Sequence, residues 1–169
     1  SSFALGMVRE LWLEEERPPI FTLASEEQER GWSCLRSLGL PKDAWFVTLH
    51  VREAGWKDSG SAQENFRNAN VASYIPAIEA VTDAGGWVVR IGDSSMSKLP
   101  GMPQVIDYAH SAAKSDWMDV FLCSQCRFMI ATATGMCVVA TSFGVPLAMP
   151  NLLPISALVY FTSKGLFIQ

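Results

Sequence analysis

A chain of 169 residues is long enough to bury a sizeable core and fits one domain. With 49% hydrophobic and 18% charged residues it is not a disordered chain, and a net charge of -4 gives no general pull toward nucleic acid or anionic membranes. Its four cysteines, Cys34, Cys123, Cys126 and Cys137, are too few for a disulfide scaffold and read as reduced thiols, so a cytoplasmic location is expected.

Residues 2–16 place Leu5, Val8, Leu11 and Trp12 at helical spacing ahead of three glutamates, which predicts an amphipathic helix or linker over residues 1–17. Its apolar stripe, residues 5–12, is a candidate contact for a second domain or for another copy of the chain. Pro18 and Pro19 stop it. Residues 18–169 form the main domain. A short strand is expected at residues 20–23, then a helix capped by Ser25 that runs to Leu38, with Gly39 just past its end.

Residues 45–51 are β-branched and aromatic and predict a strand. A polar stretch to Asn70 follows, then a helix over residues 72–84 with Pro76 in its first turn. Residues 87–91 predict the next strand and residues 104–107 a short one. Ser115 caps a helix over residues 116–124, residues 128–131 are a buried strand, and Thr134-Gly135 opens a helix that Gly144 closes. Two further strands are expected at residues 145–149 and 158–161. Residues 128–163 carry no charge, but glycines and prolines divide them, so they read as strands buried on both faces and not as a transmembrane segment. This alternation predicts an α/β, Rossmann-like, mostly parallel sheet with helices on both faces.

Three segments at strand ends carry the candidate chemistry. His50 and Arg52 lie on one side of their strand, where guanidinium suits a phosphate and imidazole can donate beside it. Arg90 sits at the end of an apolar strand and needs a partner; it either pairs with Asp93 structurally or faces a ligand that Asp93 positions. Thr132, Thr134 and Gly135 lie between a strand and a helix start, whose free N–H groups favour phosphate. G-x-G-x-x-G and G-x-x-x-x-G-K-[ST] are both absent, which argues against ordinary NAD-binding and P-loop readings. With two histidines and a lone C-x-x-C pair at Cys123 and Cys126, neither a metal site nor a cofactor is expected.

His50-Val51-Arg52, Asn68, Tyr74-Ile75-Pro76-Ala77, the stretch from Gly85 through Arg90 to Asp93, Phe143-Gly144-Val145-Pro146 and Pro150-Asn151 together resemble a family of bacterial glycosyltransferases. That family is distantly similar to fucosyltransferases with a His-x-Arg motif. The resemblance runs from about Pro18 to the end. It implies one half of a GT-B architecture, the nucleotide-sugar-binding half, with Arg52 on the donor diphosphate and Asn151 in the donor-binding set. It also implies transfer to an unidentified acceptor without a metal, with arginine and helix N-termini neutralising the leaving diphosphate. Glu53 and Ala54 stand where many fucosyltransferases carry a second arginine, which counts against GDP-fucose as the donor. Glu53, Asp58 and Asp93 are the candidate catalytic carboxylates. The alternatives are a non-catalytic nucleotide or sugar-phosphate binding module of the same fold, and an interaction domain.

Overall fold

The computed structural model describes residues 11–12, 14–53, 68–150 and 165–168. Six strands, β1 (Phe46–His50), β2 (Trp87–Arg90), β3 (Val105–Ile106), β4 (Met129–Ala131), β5 (Leu147–Pro150) and β6 (Gly165–Ile168), form one sheet in the order β3-β2-β1-β4-β5-β6. Every pairing is parallel. This is the α/β, Rossmann-like arrangement expected from the alternation of elements.

The helices are α1 (Ser25–Ser37), α2 (Ile75–Asp83), α3 (Asp116–Gln125) and α4 (Gly135–Ser142). Strand alternation sends Phe46 and Val47 to opposite sides, and each side has its own core. On one side Phe46, Val89, Met129 and Leu147 meet Leu35 of α1, Phe121 and Leu122 of α3, and Cys137 and Ala140 of α4. On the other, Val47, Leu49, Val88 and Ile130 meet Ile78 and Val81 of α2. The first core is packed tightly: a Cβ on Gly31 of α1 would lie 2.1 Å from the Phe121 ring.

Local chemistry explains most boundaries. Ser115 caps α3 by accepting from the Met118 N–H, and Thr134 caps α4 by accepting from the Met136 N–H. Asn70 accepts from the Ala72 N–H and starts a 3₁₀ turn at Val71–Tyr74, which runs into α2 with Pro76 in its first turn. Gly39 takes φ +104° just past α1, a conformation that strains residues with a Cβ.

Three expectations change. Residues 20–23 are not a strand. The Phe21 N–H instead donates to the Ser142 carbonyl at the end of α4, and the Phe21 ring lies 5.9 Å from that of Phe143, so a helix end takes up the backbone group a strand partner would have used. Ala24 is the N-cap of α1 and Ser25 is its first residue. β6 lies at Gly165–Ile168, where no strand was expected, while the strand predicted at residues 158–161 lies outside the described residues. Residues 2–10 of the predicted amphipathic helix also lie outside them. Leu11 and Trp12 are helical, and Leu11 is half exposed. Among the described residues no helix is long and apolar enough to cross a membrane.

Candidate functional site

The strand order reverses between β1 and β4, and the crevice beyond the carboxyl ends of such strands is where this class of sheet binds ligands. Here the two strand ends are locked together. The Thr132 N–H donates to the His50 carbonyl at 3.1 Å, and the Thr132 hydroxyl accepts from the Arg52 N–H at 2.9 Å. Thr132 is therefore buried behind the site, and its side chain sets the course of the backbone at Arg52.

Beyond this lock lies a cavity of about 550 Å³. His50 and Arg52 line it from β1, and Thr134, Gly135 and Met136 line it from the start of α4. A Cβ at Gly135 would meet nothing within 4 Å, so a ligand has room to approach the helix N-terminus. Gly92, Asp93 and Met96 close the cavity from the segment after β2. Gly92 has φ +145°, and a Cβ there would lie 2.3 Å from the Met96 sulfur, so the turn that delivers Asp93 requires glycine. The Asp93 carboxylate accepts from the Ser95 N–H at 2.8 Å and from its hydroxyl at 2.5 Å, which fixes its orientation.

His50 is only 8% exposed. Burial, helped by the positive charge of Arg90, holds its imidazole at a pKa of about 4. The ring is thus neutral at neutral pH and offers a hydrogen bond, not a cation. Its Nδ1 is buried with no hydrogen-bond partner.

Arg90 takes the structural role, with different partners from the one expected. It is fully buried, and its guanidinium bonds Glu53 at 2.8 Å and Asp107 at 3.3 Å. Asp93 is not its partner; that aspartate turns to Ser95. The register explains this: Arg90 stands beside Leu49 in the sheet, and so on the face opposite His50. Glu53 also accepts from the Ser97 N–H at 3.0 Å, and Asp107 from the Leu99 N–H at 3.1 Å. His110 joins the cluster, with Nδ1 2.9 Å from Asp107 and Nε2 3.0 Å from the Met96 carbonyl. This network anchors the segment that carries Asp93 and Met96 into the cavity wall.

Of the residues singled out in the sequence, the cavity brings together His50, Arg52, Asp93, Thr134 and Gly135. Arg90, Glu53 and Thr132 stand behind it as supports, and Asn151 and Asp58 lie outside the described residues. Sequence reading missed Lys114, Asp116 and Asp119, which line the cavity from the start of α3. The only local signal there, Ser115 followed by acidic residues in a first turn, is also that of ordinary helix capping. Among the described residues, no group of three histidine, cysteine, aspartate or glutamate side chains is placed to hold a metal ion.

No protein-family model matches the chain, and no curated protein matches it in sequence. Among solved structures it is similar to a family 9 glycosyl transferase from Veillonella parvula, with a TM-score of 0.60 and 13% identity over 88% of this chain and 41% of that one. It is also similar to ADP-heptose LPS heptosyltransferase II from E. coli, with a TM-score of 0.58 and 13% identity over 88% of this chain and 44% of that one. The chain thus has a fold found in glycosyltransferases and spans less than half the length of these two.

Proposed function

We propose that this chain is the donor-binding part of a glycosyltransferase of GT-B type, and that its cavity holds the diphosphate of a nucleoside-diphosphate sugar. The observation that carries this reading is the lock at the switch point: one hydroxyl, that of Thr132, ties Arg52 to the β4–α4 turn. A guanidinium and a helix N-terminus then line the same cavity. These are donors suited to a diphosphate, and they neutralise a leaving group without a metal. Lys114 adds a second cation to the lining. Of the candidate catalytic carboxylates, Asp93 lines the cavity, whereas Glu53 is held by Arg90 and Ser97 and acts as a positioning residue. The fold shared with two glycosyltransferases supports the reaction class. The free thiols at all four cysteines support a reducing, cytoplasmic setting.

Transfer needs an acceptor held at the anomeric carbon and shielded from water, in this architecture by a second domain. These 169 residues alone are therefore expected to bind nucleoside diphosphates without transferring sugar. Calorimetric titration with ADP, GDP and UDP tests binding, and incubation with sugar nucleotides and acceptors, read by mass spectrometry, tests transfer. Absence of any nucleotide binding would sink the reading. Turnover by this chain alone would show a complete site and remove the half-enzyme part of it. Binding without transfer, even after a second domain is supplied, would favour a non-catalytic binding module.

A further inference from the structure

The cavity has two chemically different halves. Arg52 and the α4 N-terminus supply donors on one side. On the side of α3 stands Asp119, one helical turn past the N-cap Ser115. One of its carboxylate oxygens, Oδ2, takes the Lys114 ammonium. The other, Oδ1, is buried and has no hydrogen-bond partner. Burial, with the Asp119 carboxylate beside it, pushes the pKa of the nearby Tyr108 hydroxyl up, and that hydroxyl bonds the Ser115 carbonyl at 3.1 Å and the Ser115 N–H at 2.9 Å. A buried carboxylate oxygen left without a donor is costly, and such atoms are rare unless something else supplies one.

A second unsatisfied group belongs to the same cavity. His50, nine-tenths buried in another element, also lines it and has its Nδ1 unpaired. Two polar atoms without hydrogen-bond partners, from different elements around one cavity, are what a bound polar ligand would complete. A carboxylate only accepts hydrogen bonds, and it repels phosphate. The group that meets Asp119 is therefore an N–H or O–H on the organic part of the ligand. With Lys114 on Oδ2, Oδ1 is the oxygen left to accept from a hydroxyl, amine or ring N–H of the ligand.

We infer that Asp119 is a ligand-contacting residue, held by Lys114, that accepts a hydrogen bond from the nucleoside or sugar part of the phosphorylated ligand. This rests on the reading of the cavity as a phosphate-binding donor site, and it adds the residue that distinguishes a nucleotide from a bare diphosphate.

The test compares the unaltered chain with Asp119→Asn and Asp119→Glu by calorimetric titration, with melting curves to establish folding. The probes are inorganic pyrophosphate, then ADP, GDP and UDP, then the glucose esters of those nucleotides. Asp119→Asn is expected to lose about tenfold in affinity for the preferred nucleotide or its sugar ester, the usual scale of one charge-assisted hydrogen bond. Its affinity for pyrophosphate should stay the same or rise, since a negative charge has gone. A loss already present with the nucleoside diphosphate places the donor group on the nucleoside, and one that appears only with the ester places it on the sugar. Unchanged affinity for nucleotide and ester in a folded variant overturns the inference, as does an equal loss for pyrophosphate. If Asp119→Asn does not fold, Asp119→Glu decides by the same criteria, because it keeps the charge and moves the oxygen. Nucleotide binding by the unaltered chain with Asp119 variants unaffected leaves the donor-site reading intact and sinks this inference alone. No binding of any probe sinks both.

Discussion

The ends of β1 and β2 carry the same residue type in opposite settings. Arg52 lies just past β1, is partly exposed and lines the cavity. Arg90 ends β2, is fully buried, and is held by Glu53 and Asp107. Both interrupt apolar segments, and both meet the general requirement that a charge leaving water find a partner. At Arg90 the partners are Glu53 and Asp107, whereas Arg52 borders the cavity. The two are nonetheless coupled, because Glu53 directly follows Arg52 in the chain. The carboxylate that clamps Arg90 thus helps to place the segment presenting Arg52.

Arg90→Met should destabilise the fold by about 3 kcal/mol or more, since Glu53 and Asp107 would face each other without their cation. Urea denaturation measures this, and a variant as stable as the parent would mean the cluster is not structural. Arg52→Ala should do the converse. It should leave unfolding within about 0.5 kcal/mol of the parent, as for a change away from packed features. Its nucleotide affinity should fall by about 1.5–3 kcal/mol, the worth of hydrogen bonds to a charged group. Equal nucleotide affinity in the two forms would remove Arg52 from the site.

His50 sharpens the contrast through pH. Its folded-state pKa of about 4 lies below the ordinary 6.5, so below pH 6.5 the unfolded chain binds a proton that the folded chain refuses. The contribution is absent above pH 6.5. Between about 6.5 and 4 it lowers stability on acidification, by on the order of 1 kcal/mol per pH unit. His50→Gln should flatten that part of the stability profile, and an unchanged slope would show the imidazole is not held neutral. The smallest expected effect is that of chelation: EDTA should leave nucleotide affinity unchanged, because arginine and backbone donors supply the charge compensation. Loss of binding on chelation would assign the diphosphate to a cation instead.

What the sequence determined by itself is local. The strand at Phe46–His50, the glycine after α1 and the caps at Ser115 and Thr134 follow from propensity and hydrogen-bonding chemistry within a few residues. The same local logic singled out His50 and Arg52 together with the β4–α4 turn, and Thr134 and Gly135 of that turn line the same cavity as the first two. Where a partner lay far along the chain, local logic failed. The segment at residues 20–23 has strand-like composition, but its neighbour proved to be the end of α4. Local reading left Arg90 either paired with Asp93, three residues away, or facing a ligand. The sheet instead set Arg90 beside Leu49, on the face away from His50, and Glu53 and Asp107 reached it from separate loops. Asp119 entered the cavity only because α3 packs between α1 and α4, which brings its first turn to the ends of β1 and β2. Period and propensity act over one or two turns of chain, whereas the partners of buried charges are set by sheet order and register, and only the tertiary structure decided those.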